Sequence, residues 1–186
     1  MSQEEIIIPK GWELSTIGEI SKIKGGSKIP SNEDLGTKLH FIKISDMNLK
    51  ENFQYIIKPN LIITTSKKNI IENSIPPNSI LIPKRGGAIL TNKKRITSEN
   101  SLLDPNIMAI IPTSKIEPLF LYYFFLKTDL ANFVGGEVVP QLNKYNVNLD
   151  SIADIYQSTF GVAKGKYFAY RRFQNQNILS KGQETK

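Results

Sequence analysis

Apolar residues in this chain come in short runs separated by turn formers, with one longer exception. Leu39 to Ile44, Ile80 to Ile82, Ala88 to Leu90 and Ile107 to Ile111 are rich in β-branched and aliphatic side chains. Such short runs read as strands. Leu61 to Thr65 is also β-branched, but Lys67 to Glu72 directly after it fits one helical turn, so this stretch is ambiguous. Pro76-Pro77 must interrupt any regular element, because proline lacks an N–H and fixes its own φ. Ser45 to Asn48 and residues 97–104 read as polar loops, and Pro112 ends the last strand. At the start, Trp12, Leu14, Ile17 and Ile20 make an amphipathic opening, and Ile23 leads to Gly25-Gly26, read as a turn. Ser31 to Asp34 resembles a helix start with acids in the first turn.

The exception lies at 116–134, where the spacing predicts a helix. Pro118 suits its first turn, Phe120, Phe124, Leu126, Leu130 and Phe133 supply a core face, and Gly135-Gly136 closes it. The aromatic run Tyr122 to Phe125 sits inside this pattern. Helical spacing assigns it to core packing rather than to base stacking.

Charge changes the picture most at residues 78–95, N-S-I-L-I-P-K-R-G-G-A-I-L-T-N-K-K-R. Ile80–Ile82 and Ala88–Leu90 are expected to pair as a hairpin turning at Gly86-Gly87. It would carry Lys84, Arg85, Lys93, Lys94 and Arg95 with no acid among them. The chain has a net charge of +7 and a pI near 9.5, which favours an anionic partner such as nucleic acid. Those five cations are the first candidates for phosphate contacts, with Lys24 and Lys28 as a second patch. Gln141 and Asn143 have the amide chemistry that reads purine edges, and the same chemistry suits a turn, the reading preferred here.

Catalytic chemistry is hard to find. The absence of cysteine excludes disulfides, thiolate metal sites and a cysteine nucleophile. His40 is the single histidine, and its strand-like setting fits a structural residue better than a base. Lys24-Gly25-Gly26-Ser27-Lys28 lacks the lysine placement of a phosphate-binding loop. Pro76-Pro77 lacks the Asn or Asp before it and the aromatic after it that an amino-methyltransferase would need. The one Glu-x-Lys, at 184–186, lies in the tail. A scattered carboxylate pair stays open as an alternative. No leader segment is visible, and the longest apolar run, Leu119 to Leu126, is too short to span a bilayer. The expectation is a cytoplasmic protein with no membrane partner.

Four segments in order carry a resemblance: G-W-E-L-S-T-I-G-E-I with Gly25-Gly26, F-I-K-I-S-D-M at 41–47, I-L-I-P-K-R-G-G at 80–87, and G-G-E-V-V-P-Q-L-N-K at 135–144. Together they resemble a target recognition domain of the specificity subunit of type I restriction-modification systems, over residues 9 to about 149. The resemblance implies an α/β (α+β) fold, a mixed, mostly antiparallel sheet with a few packed helices. It implies a non-catalytic module that reads one half of a split double-stranded DNA target. The implied partners are a modification (methyltransferase) subunit and a restriction (motor and nuclease) subunit. No cofactor is expected on this chain, since S-adenosylmethionine, ATP and Mg belong to those partners.

Residues 1–150 are read as the recognition domain and 151–186 as a divergent basic tail, irregular or flexible. In that tail Lys164, Lys166, Arg171, Arg172, Lys181 and Lys186 face only Asp154 and Glu184. The family pattern would continue into P-P-L-x-x-Q and a long helical spacer. Residues 158–166 can be encoded so that reading one base later yields P-P-L-E-L-Q-K-E. The expectation is therefore a C-terminally truncated or frameshifted chain with a single recognition domain, weak or absent restriction activity, and a second copy of itself as a further partner. Two other readings stay open: an RNA-binding protein, and a nucleic-acid enzyme with an unrecognised carboxylate site.

Overall fold

A single helical turn between two strands comes first among the described elements. The computed structural model describes residues 12–30, 36–134, 141, 142, 147, 151–155, 170–172 and 177–179. Strand β1 (Trp12–Thr16) leads into helix α1 (Ile17–Ile20) and strand β2 (Ser21–Gly25). The turn is held at its start by Glu19, whose carboxylate accepts from the Thr16 N–H at 2.6 Å and from the Thr16 hydroxyl at 2.9 Å. It buries Ile17 and Ile20 in the core.

The Thr16 backbone and hydroxyl bonds hold the Glu19 carboxyl below its ordinary value of 4.5. A depressed acid stabilises the fold only while it is ionised. Its contribution is complete above the ordinary value and is lost as pH falls through the lower folded value. The stability gap between the wild type and Glu19→Gln should therefore be constant above about pH 4.5 and close on further acidification. Urea midpoints measured across the acid range check this, and a gap that never closes would exclude the capping role.

The remaining elements are β3 (Thr37–Ile42), β4 (Tyr55–Ile56), β5 (Ile62–Thr65), α2 (Lys67–Asn73), β6 (Ile80–Pro83), β7 (Arg95–Thr97), β8 (Ser101–Leu103), β9 (Ile107–Pro112), α3 (Pro118–Lys127), β10 (Ser151–Ile155), β11 (Tyr170–Arg172) and β12 (Asn177–Leu179). Five strands form one mixed, mostly antiparallel sheet in the order β2-β9-β6-β7-β4, with β4 and β7 parallel. A second sheet runs β5-β3-β8. β1 pairs with β10 along its full length, and β11 pairs with β12.

The layers follow from the side chains of the central strands. Ile80, Ile82, Ile96, Met108 and Ile110 pack on one face of the large sheet against Leu121, Phe124 and Phe125 of α3. Leu81, Ile107 and Ala109 point to the other face and meet Ile42 and Leu103 of the small sheet. The outer face of the small sheet holds Leu39, Phe41, Ile63 and Leu102, with Ile70 of α2 packed on it. A strand covered on both faces needs apolar residues at every position, which explains the unbroken I-L-I and I-M-A-I runs. Each buried isoleucine, leucine or methionine in these runs contributes roughly 1.5–3 kcal/mol relative to exposure.

Several expected elements differ from the fold. Ala88 to Leu90 is not a strand. It lies in a 3-10 helix, Gly86–Thr91, where Gly86 takes a φ of +65° and Ile89 drops into the core. The partner of β6 is β7, with Ile80 opposite Ile96 and Leu81 opposite Arg95. The ribbon therefore exists but closes through a longer, helical connection. Ser101 to Leu103, expected in a polar loop, is a buried strand too short to show a period. The long helix stops at Lys127, and a separate 3-10 turn spans Leu130–Phe133. Asp129 starts that turn by accepting from the Ala131 N–H at 3.0 Å. Leu126, expected on the core face, is half exposed. The aromatic run packs inward as expected: Tyr122, Phe124 and Phe125 are buried and Tyr123 stays outside.

The described residues of 151–186 fall in β10, β11 and β12. The expected helix start at 31–34, the closing Gly135-Gly136 and residues 158–166 lie outside the described residues. Among the described residues, no helix is long and apolar enough to cross a membrane.

Candidate nucleic-acid interface

The register of the large sheet brings five chain segments to one end. β2 and β6 both finish there, since Gly25 lies opposite Met108 and Pro83 opposite Ile107 at the start of β9. β7 begins there, antiparallel to β6, and β4 begins beside it. Near that end lie Lys24 to Lys28, Lys84-Arg85, Lys93, Arg95, Asn106 and the residues just before Tyr55. Five strands about 4.8 Å apart give it a width of roughly 20 Å. That width matches about six base pairs at the 3.4 Å repeat of a strand.

The two basic patches expected from the sequence approach each other at Gly25. The Lys84 Nζ lies 3.5 Å from the position a Cβ on Gly25 would take. Arg85 is exposed and pairs with Gln141 through an isolated antiparallel bridge, while the Leu142 N–H donates to the Lys84 carbonyl at 2.9 Å. Gln141 is thus held beside Arg85 by backbone pairing instead of by the expected turn. Asn143 lies outside the described residues. Lys24 is half-buried and donates to the Ser74 carbonyl at 3.1 Å, whereas Lys28 is exposed in an open groove beside Phe41, Lys43 and Asp104. Lys43 gives no signal in the residue pattern, because its neighbours are apolar and it belongs to no charge cluster in the sequence.

Lys94 requires a correction. It is 1% exposed and cannot meet a phosphate. Its Nζ donates to the Asn92 Oδ1 at 2.6 Å and to the Thr128 carbonyl at 2.7 Å. Asn92, at a φ of 54°, also accepts from the Leu130 N–H at 3.0 Å. Burying an ammonium is tolerated only where its donors find acceptors. Lys94 therefore ties the end of the Gly86–Thr91 turn to the end of α3. A sequence cannot show this, because a buried and an exposed lysine look alike in a basic run.

Lys93 is half-buried, with its Nζ 2.6 Å from the Asn48 Oδ1. Arg95 is half-buried too: one terminal nitrogen donates to the Lys94 carbonyl at 2.7 Å, and its buried Nε has no hydrogen-bond partner in the structure. Burial pulls the Arg95 guanidinium below the usual arginine value, and the Tyr122 phenol opposes that shift. Burial likewise pushes Tyr122 up, while Arg95 pulls it down. His40 sits in β3 with its Nε2 4.0 Å from Glu99, and its Nδ1 is buried without a partner. Among the described residues, no three of His, Asp and Glu come together in a way that could hold a metal ion.

The loop from Lys43 to Asn60, beside the β4 edge of the large sheet, is built on two buried polar side chains. Asp46 accepts from the Lys43 and Asn60 N–H groups at 2.7 and 3.1 Å and from the Asn60 amide at 2.6 Å. Asn52 donates to the Asp46 and Lys58 carbonyls, both at 3.0 Å, and accepts from the Ile57 and Lys58 N–H groups at 3.0 and 2.9 Å. Both residues are fully buried. As a sequence the polar run S-D-M-N reads as an ordinary loop, and only the tertiary contacts show it to be a hydrogen-bonded scaffold.

Residues 9–152 match the family described as type I restriction modification DNA specificity domain. The MjaIX specificity subunit of the type I restriction enzyme from Methanocaldococcus jannaschii is 28% identical, over 73% of this chain and 32% of its own. Among solved structures, a chain from a study of complex assembly and conformational transition in the type I R-M system superposes with a TM-score of 0.60 at 18% identity. It covers 84% of this chain and 37% of that one. The HsdS subunit from Thermoanaerobacter tengcongensis gives 0.58 at 18% identity, with 83% and 36% covered. The chain thus spans about a third of the length of these relatives, and the two structures support the fold alone. With a matched segment that takes in both sheets and the whole basic end, this chain belongs to the type I restriction-modification DNA specificity domain family.

Proposed function

We propose that this chain is the target recognition domain of a type I specificity subunit. It binds one half of a split double-stranded DNA target and carries out no chemistry itself. The gathering of Lys84, Arg85 and Lys93 at one end of the five-stranded sheet, with Lys28 just beyond β2, carries the reading. Lysine and arginine there neutralise phosphates and set the register of the domain on the duplex, while polar side chains read base edges. Lys24 and Arg95 stand at the margin of this surface, each with a carbonyl partner that orients it. Gln141, bridged to Arg85, would supply an amide of the kind that reads a purine edge. Methylation, with S-adenosylmethionine, falls to the modification subunit, and cleavage, with ATP and Mg, to the restriction subunit. The assembly works in the cytoplasm, and a second copy of this chain would complete the split target.

Titrating a labelled duplex with the full chain at several salt concentrations tests the proposal. Replacing Lys84 and Arg85 by alanine should flatten the dependence of log affinity on log salt by about 0.9 for each phosphate no longer neutralised. An unchanged slope would remove the sheet end from the interface. Stronger competition by single-stranded RNA than by duplex DNA would turn the reading towards RNA.

A further inference from the structure

The loop scaffold exposes two large apolar side chains, Phe53 and Ile57, of which Phe53 is the larger and the more exposed. Phe53 is 79% exposed, next to the fully buried Asn52. Asn52 clamps the backbone on both sides of it, at Asp46 and at Ile57-Lys58. One residue further on, the Gln54 carbonyl accepts from the Ile96 N–H at 2.8 Å and pins the loop to β7. These bonds fix the backbone on either side of Phe53, and with it the direction in which the side chain leaves the loop. Its position is no less telling. It lies just before β4, and β4 begins at the same end of the sheet as β7 and its basic leader. Lys93 is hydrogen-bonded to Asn48 of the same loop, Lys50 is exposed, and exposed Lys58 faces Glu51 across 4.0 Å.

We infer that Phe53 is a base-contacting residue: its ring packs against a base of the bound duplex and helps to determine the sequence recognised. This rests on the DNA-binding reading and deepens it. A rigidly held aromatic among cations has the two properties such a contact needs. The lysines draw the phosphate backbone in, and the ring then wedges at a deformable base step without any flexible segment having to be ordered. Exposed Leu90, in the Gly86–Thr91 turn at the same end, adds apolar surface. A protein partner is the rival occupant, and the cationic surroundings favour DNA.

The test uses the full chain and a pool of duplexes with a randomised centre, from which bound sequences are selected. Phe53→Ala should bind the selected duplex at least about tenfold more weakly. It should keep the wild-type affinity for unselected duplex and the wild-type salt slope, because every cation on the phosphates is still in place. Phe53→Trp should restore binding, and 2-aminopurine placed in the selected site should brighten with the wild type and not with the alanine variant. Equal affinity of Phe53→Ala and wild type for the selected duplex overturns the inference. So does a loss of unselected binding with a flatter slope, or a change confined to oligomeric mass. If the wild type binds no duplex at all, the DNA reading itself fails, which is a different result from a wild type that binds and a variant that matches it.

Discussion

Gly26→Ala is expected to lower the stability of this domain by about 3 kcal/mol, as overpacking against an immobile neighbour does. A Cβ at Gly26 would lie 2.0 Å from the Asp104 carbonyl oxygen and 2.5 Å from that of Leu103. Both obstacles are backbone atoms held by hydrogen bonds. The Asp104 N–H donates to Ile42, and the Ile107 N–H donates back to Asp104, each at 2.9 Å. Neither can give way as the end of a side chain would. The contact joins the two sheets, because the Gly26 N–H donates to Ile107 of the large sheet and the Ser27 N–H to Leu103 of the small one. Damage there should reach function, since Lys24 and Lys28 flank the joint. Chemical denaturation measures the effect. A variant within about 0.5 kcal/mol of the wild type, the range of an ordinary surface change, would refute the close approach.

Asn52→Ala should cost about as much, through a different mechanism. The side chain satisfies two carbonyls and two N–H groups, each of which loses its partner once the amide is removed. Buried groups left without partners cost about 1–3 kcal/mol each, and partial relaxation of the loop puts the expected total near 3 kcal/mol. In a domain of this size that corresponds to a melting temperature lower by roughly 10 °C. Asn52→Asp should recover only part of the loss, because a carboxylate still accepts from Ile57 and Lys58 but repels the Asp46 and Lys58 carbonyls. Thermal melts of both variants decide the matter. Equal melting temperatures for wild type and Asn52→Ala would mean that the loop is not built on this residue.

The two variants probe opposite edges of the same end of the sheet. Gly26 secures the β2 edge, and Asn52 secures the loop before β4. Between them lie Lys84 and Arg85. A recognition surface roughly 20 Å wide needs such fixing, because side chains on a yielding edge would lose affinity to the entropy of ordering. This is why a glycine and a buried asparagine, neither of which would touch DNA, are expected to be costly to replace.

Much of this protein is legible from its sequence alone. Central strands reveal themselves because burial on both faces demands unbroken apolar runs, as at Ile80 to Ile82 and Ile107 to Ile111. The core side of α3 shows in the spacing of Phe120 and Phe124, and the family shows in four ordered segments. These are local signals, carried by residue type and period. Register is not local. The approach of Lys84 to Gly25 depends on β9 lying between β2 and β6, a pairing across more than twenty residues that no window contains. The burial of Lys94, the close approach at Gly26 and the outward Phe53 depend on what stands opposite them in space. Residue type determined which segments could form strands and helices, while tertiary packing decided which cations reach the surface, because exposure belongs to neighbours and not to the residue itself.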